Sequence, residues 1–318
     1  KRNHGMSRTV PAVQDSYVVS IGPKCHVMCV TADSGDFKWG IDIEKEFDSE
    51  VPLWYTGQCP LIDDSLAVIA TGGSALLIGV HLETGEIIWQ TPNPDGWAMS
   101  HSSIMPMTLY NRDVYVYSSL GGLVGVSADS GSVGQVLFKT AEWAPTVIAP
   151  SPMHVGDGKI FVTAGYGAGS MLFQVTEQGG QFTIEKLIEY KPEEGLCAEQ
   201  QTPILYENHL FSILPKDAGP RRNQFVCAPA HEPQNIVYAS SRDTRFGLGP
   251  YLIADGKFYI LSDDGVLTVA RVNTTSWEPL GQAKVLDGHD AWGPMALVQG
   301  RLLCRDSRRM VCLDIRAN

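Results

Sequence analysis

The residues best equipped for chemistry in this 318-residue chain recur at one kind of position, a few residues ahead of a proline that opens an apolar run. They are His4 and Arg8 before Pro11; Trp54, Tyr55 and Gln58 before Pro60; His101 and Ser102 before Pro106; Glu199 and Gln200 before Pro203; Arg245 before Pro250; and His289, Asp290 and Trp292 before Pro294. Imidazole, carboxylate and guanidinium groups brought to one concave place could bind a small polar ligand or move protons on it. Trp54 or Trp292 could stack on a flat ring. His289-Asp290 is the sharpest local feature, because a carboxylate can fix an imidazole tautomer. Neighbours on a strand point to opposite faces, so the pair could cooperate only in a loop. The same residues also have a purely structural reading, since buried polar groups need partners and can tie one element to the next.

Other motifs carry less. The seven cysteines form no CxxC pair, so neither a zinc site nor a redox motif is expected, and free cysteine ordinarily packs as a small hydrophobe. Cys25 and Cys29, four apart on one expected strand, would lie about 13 Å apart, too far for a disulfide. Alternation sends His26 and Met28 to the opposite face, against a copper or haem site. The glycine-rich run Gly165–Ser170 joins two expected strands and reads as a hairpin, because a phosphate-cradling loop leads into a helix. GxSxG and HExxH do not occur. Asn273-Thr274-Thr275 fits the glycosylation pattern, and Lys216–Arg222 is a charged excursion that reads as a solvated loop or a partner contact.

With 24 Lys and Arg against 35 Asp and Glu the net charge is −11, which excludes ordinary nucleic-acid binding. At 44% apolar residues the chain can fold, yet no uninterrupted apolar run is long enough to span a membrane. The chain opens on Lys1 with no charged-then-apolar leader in its first 30 residues, so either a leader has been removed or the chain starts inside a longer protein.

Stepping outward from these residues, the prolines at 11, 60, 106, 152, 203, 250 and 294 are spaced by 44 to 51 residues. Each is followed within a few residues by a turn pair: Asp15-Ser16, Asp64-Ser65, Asn111-Arg112, Asp157-Gly158, Glu207-Asn208, Asp255-Gly256 and Gln299-Gly300. An alternating or apolar run follows each turn, so every repeat opens with a β-hairpin. A third strand comes next, and in the first three repeats a turn such as Glu83-Thr84-Gly85 leads to a fourth strand containing Trp39, Trp89 or Phe138. Four short antiparallel strands at this period define an all-β fold, the β-propeller of four-stranded antiparallel blades. A single domain over 1–318 is expected, with repeats near 6–50, 51–97, 98–145, 146–192, 193–244, 245–288 and 289–318. Seven repeats are visible; the last has three strands, and eight blades would follow if sequence were missing upstream. The candidate residues would then ring the funnel at one end of the central channel.

The segments VTADSGDFKW (Val30–Trp39) and VHLETGEIIW (Val80–Trp89) resemble the repeat of the PQQ-like (pyrroloquinoline-quinone-like) propeller family. The resemblance extends along the whole chain, although repeats five to seven lack the Trp ending. It includes stretches such as EQQTPILY and FGLGPYLIADGKFYIL and points to a bacterial subgroup without assigned activity. Family members with redox activity hold the quinone between a Trp and a disulfide of adjacent cysteines, beside a calcium ion. This sequence has no adjacent cysteines, so PQQ with calcium is disfavoured and no cofactor is expected. The resemblance implies a non-catalytic binding or scaffold module, exported to the periplasm or outside the cell. Its expected partner at the funnel is a protein, a small polar ligand or a carbohydrate. The rival expectation is an enzyme, a quinoprotein-like oxidoreductase or a carbohydrate-active hydrolase or lyase using His101, Glu199, Arg245 and His289.

Overall fold

The structure is a computed structural model that describes residues 8–288 and 290–316. His4 and His289 lie outside the described residues. Seven antiparallel sheets follow one another along the chain, six of four strands and a last one of three. The fold is an all-β, seven-bladed propeller. Among the described residues, helix is confined to Ile43–Phe47, capped by the Asp42 carboxylate, and to one 3₁₀ turn at Gly219–Arg221.

The sheets are read outward from the proline. In sheet 2, Leu61–Asp63, Leu66–Ala70, Ala75–His81 and Ile87–Pro92 pair in sequence order. The first strand pairs on one side only, and six of the seven prolines stand just outside it, where a missing N–H costs no ladder bond; Pro106 lies within its strand. The opening hairpins turn through left-handed residues, as their composition requires: Asp157 with Gly158, Glu207 with Asn208, Asp255 with Gly256 and Gln299 with Gly300 all have positive φ. In sheet 3 the turn is Tyr110-Asn111, one residue earlier than the expected Asn111-Arg112, and Arg112 already pairs with Leu109. Cys25 likewise sits in a turn at φ 63, before the strand His26–Thr31. Its thiol and that of Cys29 are both buried, and Met28 is exposed on the other face.

By compactness the chain divides into two units, residues 8–164 with 171–189, and residues 165–170 with 190–316. The N-terminal unit holds the first three sheets and most of the fourth. Its core lies between consecutive sheets: Val19, Ile21 and Val27 of sheet 1 pack with Ile69, Ile78 and Val80 of sheet 2, and Val68 and Leu77 of sheet 2 pack with Tyr115, Tyr117 and Val124 of sheet 3. Trp39 lies over Cys29, its ladder partner, and its Nε1 donates to the Leu82 carbonyl of the next sheet at 2.7 Å. Trp89 is paired with Gly79 and Phe138 with Gly125, where any Cβ would meet the ring at 2.1 and 2.2 Å. A glycine in the following sheet completes each seat: a Cβ on Gly85 would lie 2.6 Å from Trp39, and one on Gly134 would lie 3.0 Å from Trp89. Between sheets 1 and 2 the Glu83-Thr84-Gly85 turn and Trp39 are the two halves of the joint, and between sheets 2 and 3 Gly134, three residues past the Asp129-Ser130-Gly131 turn, takes that place against Trp89.

The C-terminal unit holds sheets 5 to 7, and there the joint is built differently. Phe211, Phe225, Phe246, Phe258 and Trp277 form one aromatic cluster between sheets 5 and 6, with Phe225 and Phe258 centroids 4.9 Å apart. The fourth strand of sheet 5 shrinks to Tyr238–Ala239. The absent Trp ending in these repeats is replaced by aromatic packing from strands two and three.

Candidate functional site

In the N-terminal unit the loops before the first strands are tied to one another. The Val10 amide donates to Cys59 Sγ at 3.3 Å, the Cys59 amide to Ser103 Oγ at 2.9 Å, and the Ser103 amide to Ser151 Oγ at 3.1 Å. One thread of hydrogen bonds thus runs from sheet 1 to sheet 4 through the loops that carry the candidate residues. Gln58 serves the same purpose: it is fully buried, its Nε2 donates to the Ala70 carbonyl at 2.6 Å and its Oε1 accepts from the Ala70 amide at 3.0 Å. Ser102 is buried with its amide on Ser100 Oγ. Both belong to the frame, with their polar groups held by the protein itself.

His101 is different. Its ring rests on Gly57, where a Cβ would meet His101 Cβ at 2.6 Å, and its Nδ1 is buried without a hydrogen-bond partner. Burial, then the positive charge of Arg8, lower its pKa below the usual imidazole value, against contacts with the Leu53 and Tyr55 main chain. His101 is therefore neutral at physiological pH. Trp54 and Tyr55 both hold left-handed backbones, φ 65 and 76, and Trp54 remains 39% exposed. An exposed indole on a sharp turn is a ready contact surface.

In the C-terminal unit Glu199 is the outstanding group. It is 6% exposed, and its Oε2 has no hydrogen-bond partner. Close packing buries it: a Cβ on Gly165 would lie 2.3 Å from Glu199 Cγ. Burial raises its pKa, with Lys216 pulling down and Asp217 pushing up. Glu199 lines a small cleft of about 10 Å³, with Gln200, Gln201, Ile213, Pro215, Leu248 and Tyr251 around it. Arg245 stands nearby in sequence but is engaged: its guanidinium grips Asp263 with two nitrogens, the second bond measuring 2.9 Å, and Asp263 also accepts from the Leu248 amide. Gln201 Nε2 donates to the Trp292 carbonyl at 3.1 Å, and Asp290 sits in a turn at φ 64. The structural residues missed by sequence reasoning are Asp263, which orients Arg245, and Tyr251, which donates to the Thr202 carbonyl at 3.2 Å. Neither carries a local signal, because each acts on a residue of another strand or loop.

The chain matches over residues 1–211 the family model described as outer membrane protein assembly factor BamB. This chain belongs to the PQQ-like propeller family of BamB. The match ends in the fifth repeat, after the repeats that carry the Trp ending have passed. Among solved structures, BamB from Moraxella catarrhalis aligns with a TM-score of 0.61 at 10% identity, covering 96% of this chain and 81% of that one. The computationally designed Ika8 protein aligns at 0.50 and 9% identity, covering 99% and 97%. Both likenesses are of fold. The comparison with curated proteins gives no match.

The pair of adjacent cysteines expected of the family's redox-active members does not occur in this sequence. All seven cysteines are free, and Cys25 and Cys29 are separately buried against Thr56 and Leu82. Among the described residues no three His, Cys, Asp or Glu side chains converge as a metal site. No helix is long and apolar enough to cross a membrane.

Proposed function

We propose that this chain is a protein-binding propeller without catalytic activity, exported from a bacterial cytoplasm, which presents the loops ahead of its first strands to a partner protein. The observation that carries this reading is membership of a family described by an outer-membrane protein assembly factor. Two features of the loops support it. Trp54 offers an exposed aromatic surface, and Glu199 and His101 keep polar atoms without internal partners. The Glu199 cleft, at about 10 Å³, is far smaller than the roughly 300–1,000 Å³ of ordinary small-molecule sites. That size favours contact with a partner's side chain over enclosure of a sugar ring, and so favours a binding module over a carbohydrate-active enzyme. No cofactor enters this reading, and a net charge of −11 points the partner surface toward basic protein segments and away from nucleic acid.

The test is a double substitution, Arg245→Ala with His289→Ala, in the protein purified from its native cell envelope. Co-purification of the partner is expected to be lost while circular dichroism and melting remain those of a folded propeller. Unchanged co-purification would overturn the assignment of the loops.

A further inference from the structure

The Glu199 cleft holds a buried carboxyl group that pairs with no described cation within 4.0 Å. Its Oε2 is enclosed and unpartnered, and Asp217 Oδ1, on the loop beside it, is likewise buried without a partner. A buried carboxylate in this position is costly unless a donor meets it. Lys216 favours the charged form of Glu199 from a distance, and neither nearby cation bonds to it. Lys216 Nζ stands over the Tyr166 ring, 5.3 Å from its centroid, and makes no ion pair within 4.0 Å of a described carboxylate; Arg245 is held by Asp263. The protein thus supplies the acceptors and leaves the donor to come from outside.

We propose that this cleft is the seat for a primary ammonium group, the tip of a lysine side chain or the terminal amine of a bound protein segment. The inference rests on the protein-binding reading and names the chemistry by which one loop would hold the partner. Three features select the group. The acceptors are carboxyl oxygens, which call for a donor with positive charge. The cleft, at about 10 Å³, has room for about one water-sized group, which suits an ammonium better than the wider guanidinium of arginine. Ile213, Pro215 and Leu248 line the same cleft and suit the methylene stem behind a lysine head. Backbone approach is close throughout, for a Cβ on Gly249 would lie 1.7 Å from the Leu261 carbonyl and one on Gly247 would lie 2.0 Å from Asp263, so the walls cannot carry larger residues.

Binding also couples to protons. The groups that face Glu199 are Lys216 and Asp217 from one loop, Tyr251 from the first strand of sheet 6, and the Arg245–Asp263 pair behind Leu248. Ammonium binding requires Glu199 as the carboxylate, so affinity falls as pH is lowered through its raised pKa.

The experiment is an amide NMR titration of the whole chain with Nα-acetyl-lysine methylamide, with glycinamide, and with the Nε-acetylated lysine derivative, each carried to 100 mM. Shifts at Glu199, Gln200 and Leu248 with either free amine, absent with the acetylated one, are expected; which amine binds tells a side chain from a chain terminus. Glu199→Gln is expected to weaken binding about tenfold or more, while the variant melts no lower than the parent because a buried charge has been removed. Equal binding of the acetylated derivative, equal binding by the variant, or no shift with any amine would overturn the proposal. If no amine binds while Arg245→Ala with His289→Ala still abolishes partner co-purification, the ammonium seat fails and the protein-binding reading stands.

Discussion

Removing Trp39 tests the joint between successive sheets, and the structure sets the size of the effect. The side chain is buried at the end of sheet 1, donates to the Leu82 carbonyl at 2.7 Å and rests against Gly85 of sheet 2. Trp39→Ala removes the ring and leaves a cavity, at a cost of about 3–5 kcal/mol. Trp39→Phe keeps most of the packing and leaves the Leu82 carbonyl with only the Cys29 thiol at 3.7 Å, a loss of about 1–2 kcal/mol. Gly85→Ala adds a left-handed penalty of about 1 kcal/mol at φ 75 and an overlap with Trp39 costing about 1–3 kcal/mol more. In a Trp39→Gly background every atom of the overlap is gone, the Cβ included, and only the backbone penalty of Gly85→Ala remains. A double-mutant cycle by urea unfolding, followed by circular dichroism, is therefore expected to show a coupling of about 1–3 kcal/mol between positions 39 and 85. Coupling below about 0.5 kcal/mol, or a Trp39→Phe variant as stable as the parent, would refute the account of the joint.

Gln58→Leu keeps the volume but strands the Ala70 amide and carbonyl, and is expected to cost about 2–4 kcal/mol by the same unfolding assay. Arg245→Ala removes an ion pair whose Asp263 carboxylate is only 12% exposed and leaves that carboxylate with the Leu248 amide, and is expected to cost about 1–3 kcal/mol by the same assay. Burial pushes the Cys227 thiol up to about 12, so the folded state prefers the neutral form. That contribution is complete below the unfolded thiol's pKa of about 8.5 and is lost as pH rises toward 12. Urea midpoints are expected to fall from pH 8 to pH 10.5 in the parent and to fall less in Cys227→Ala.

The fold was legible because its signals are local and repeated. Proline beside an edge strand, a left-handed turn pair and an apolar third strand each act within a few residues, and seven copies at one period leave little ambiguity. Where a local rule has two near-equal solutions the reading slipped by one residue, as at Tyr110-Asn111 and at Cys25. The joints between sheets were visible as a motif but not as a mechanism, because Trp39 and Gly85 meet only after two sheets have formed. The candidate site was legible as a set of loops and not as roles. Nothing in the sequence distinguishes Gln58, clamped on Ala70, from Glu199, whose enclosed Oε2 has no hydrogen-bond partner, since the difference appears only once the loops have folded against their sheets. Asp263, which occupies Arg245, was hidden for the same reason.

The loops ahead of the first strands are proposed to hold a protein partner. A photo-crosslinking amino acid placed in turn at Trp54, at Gln200 and at Phe37, the last exposed on the fourth strand of sheet 1, tests it directly in cells of the source organism. The account predicts a discrete protein adduct from positions 54 and 200 and none from position 37. Adducts from position 37 alone, or from none of the three, would contradict it.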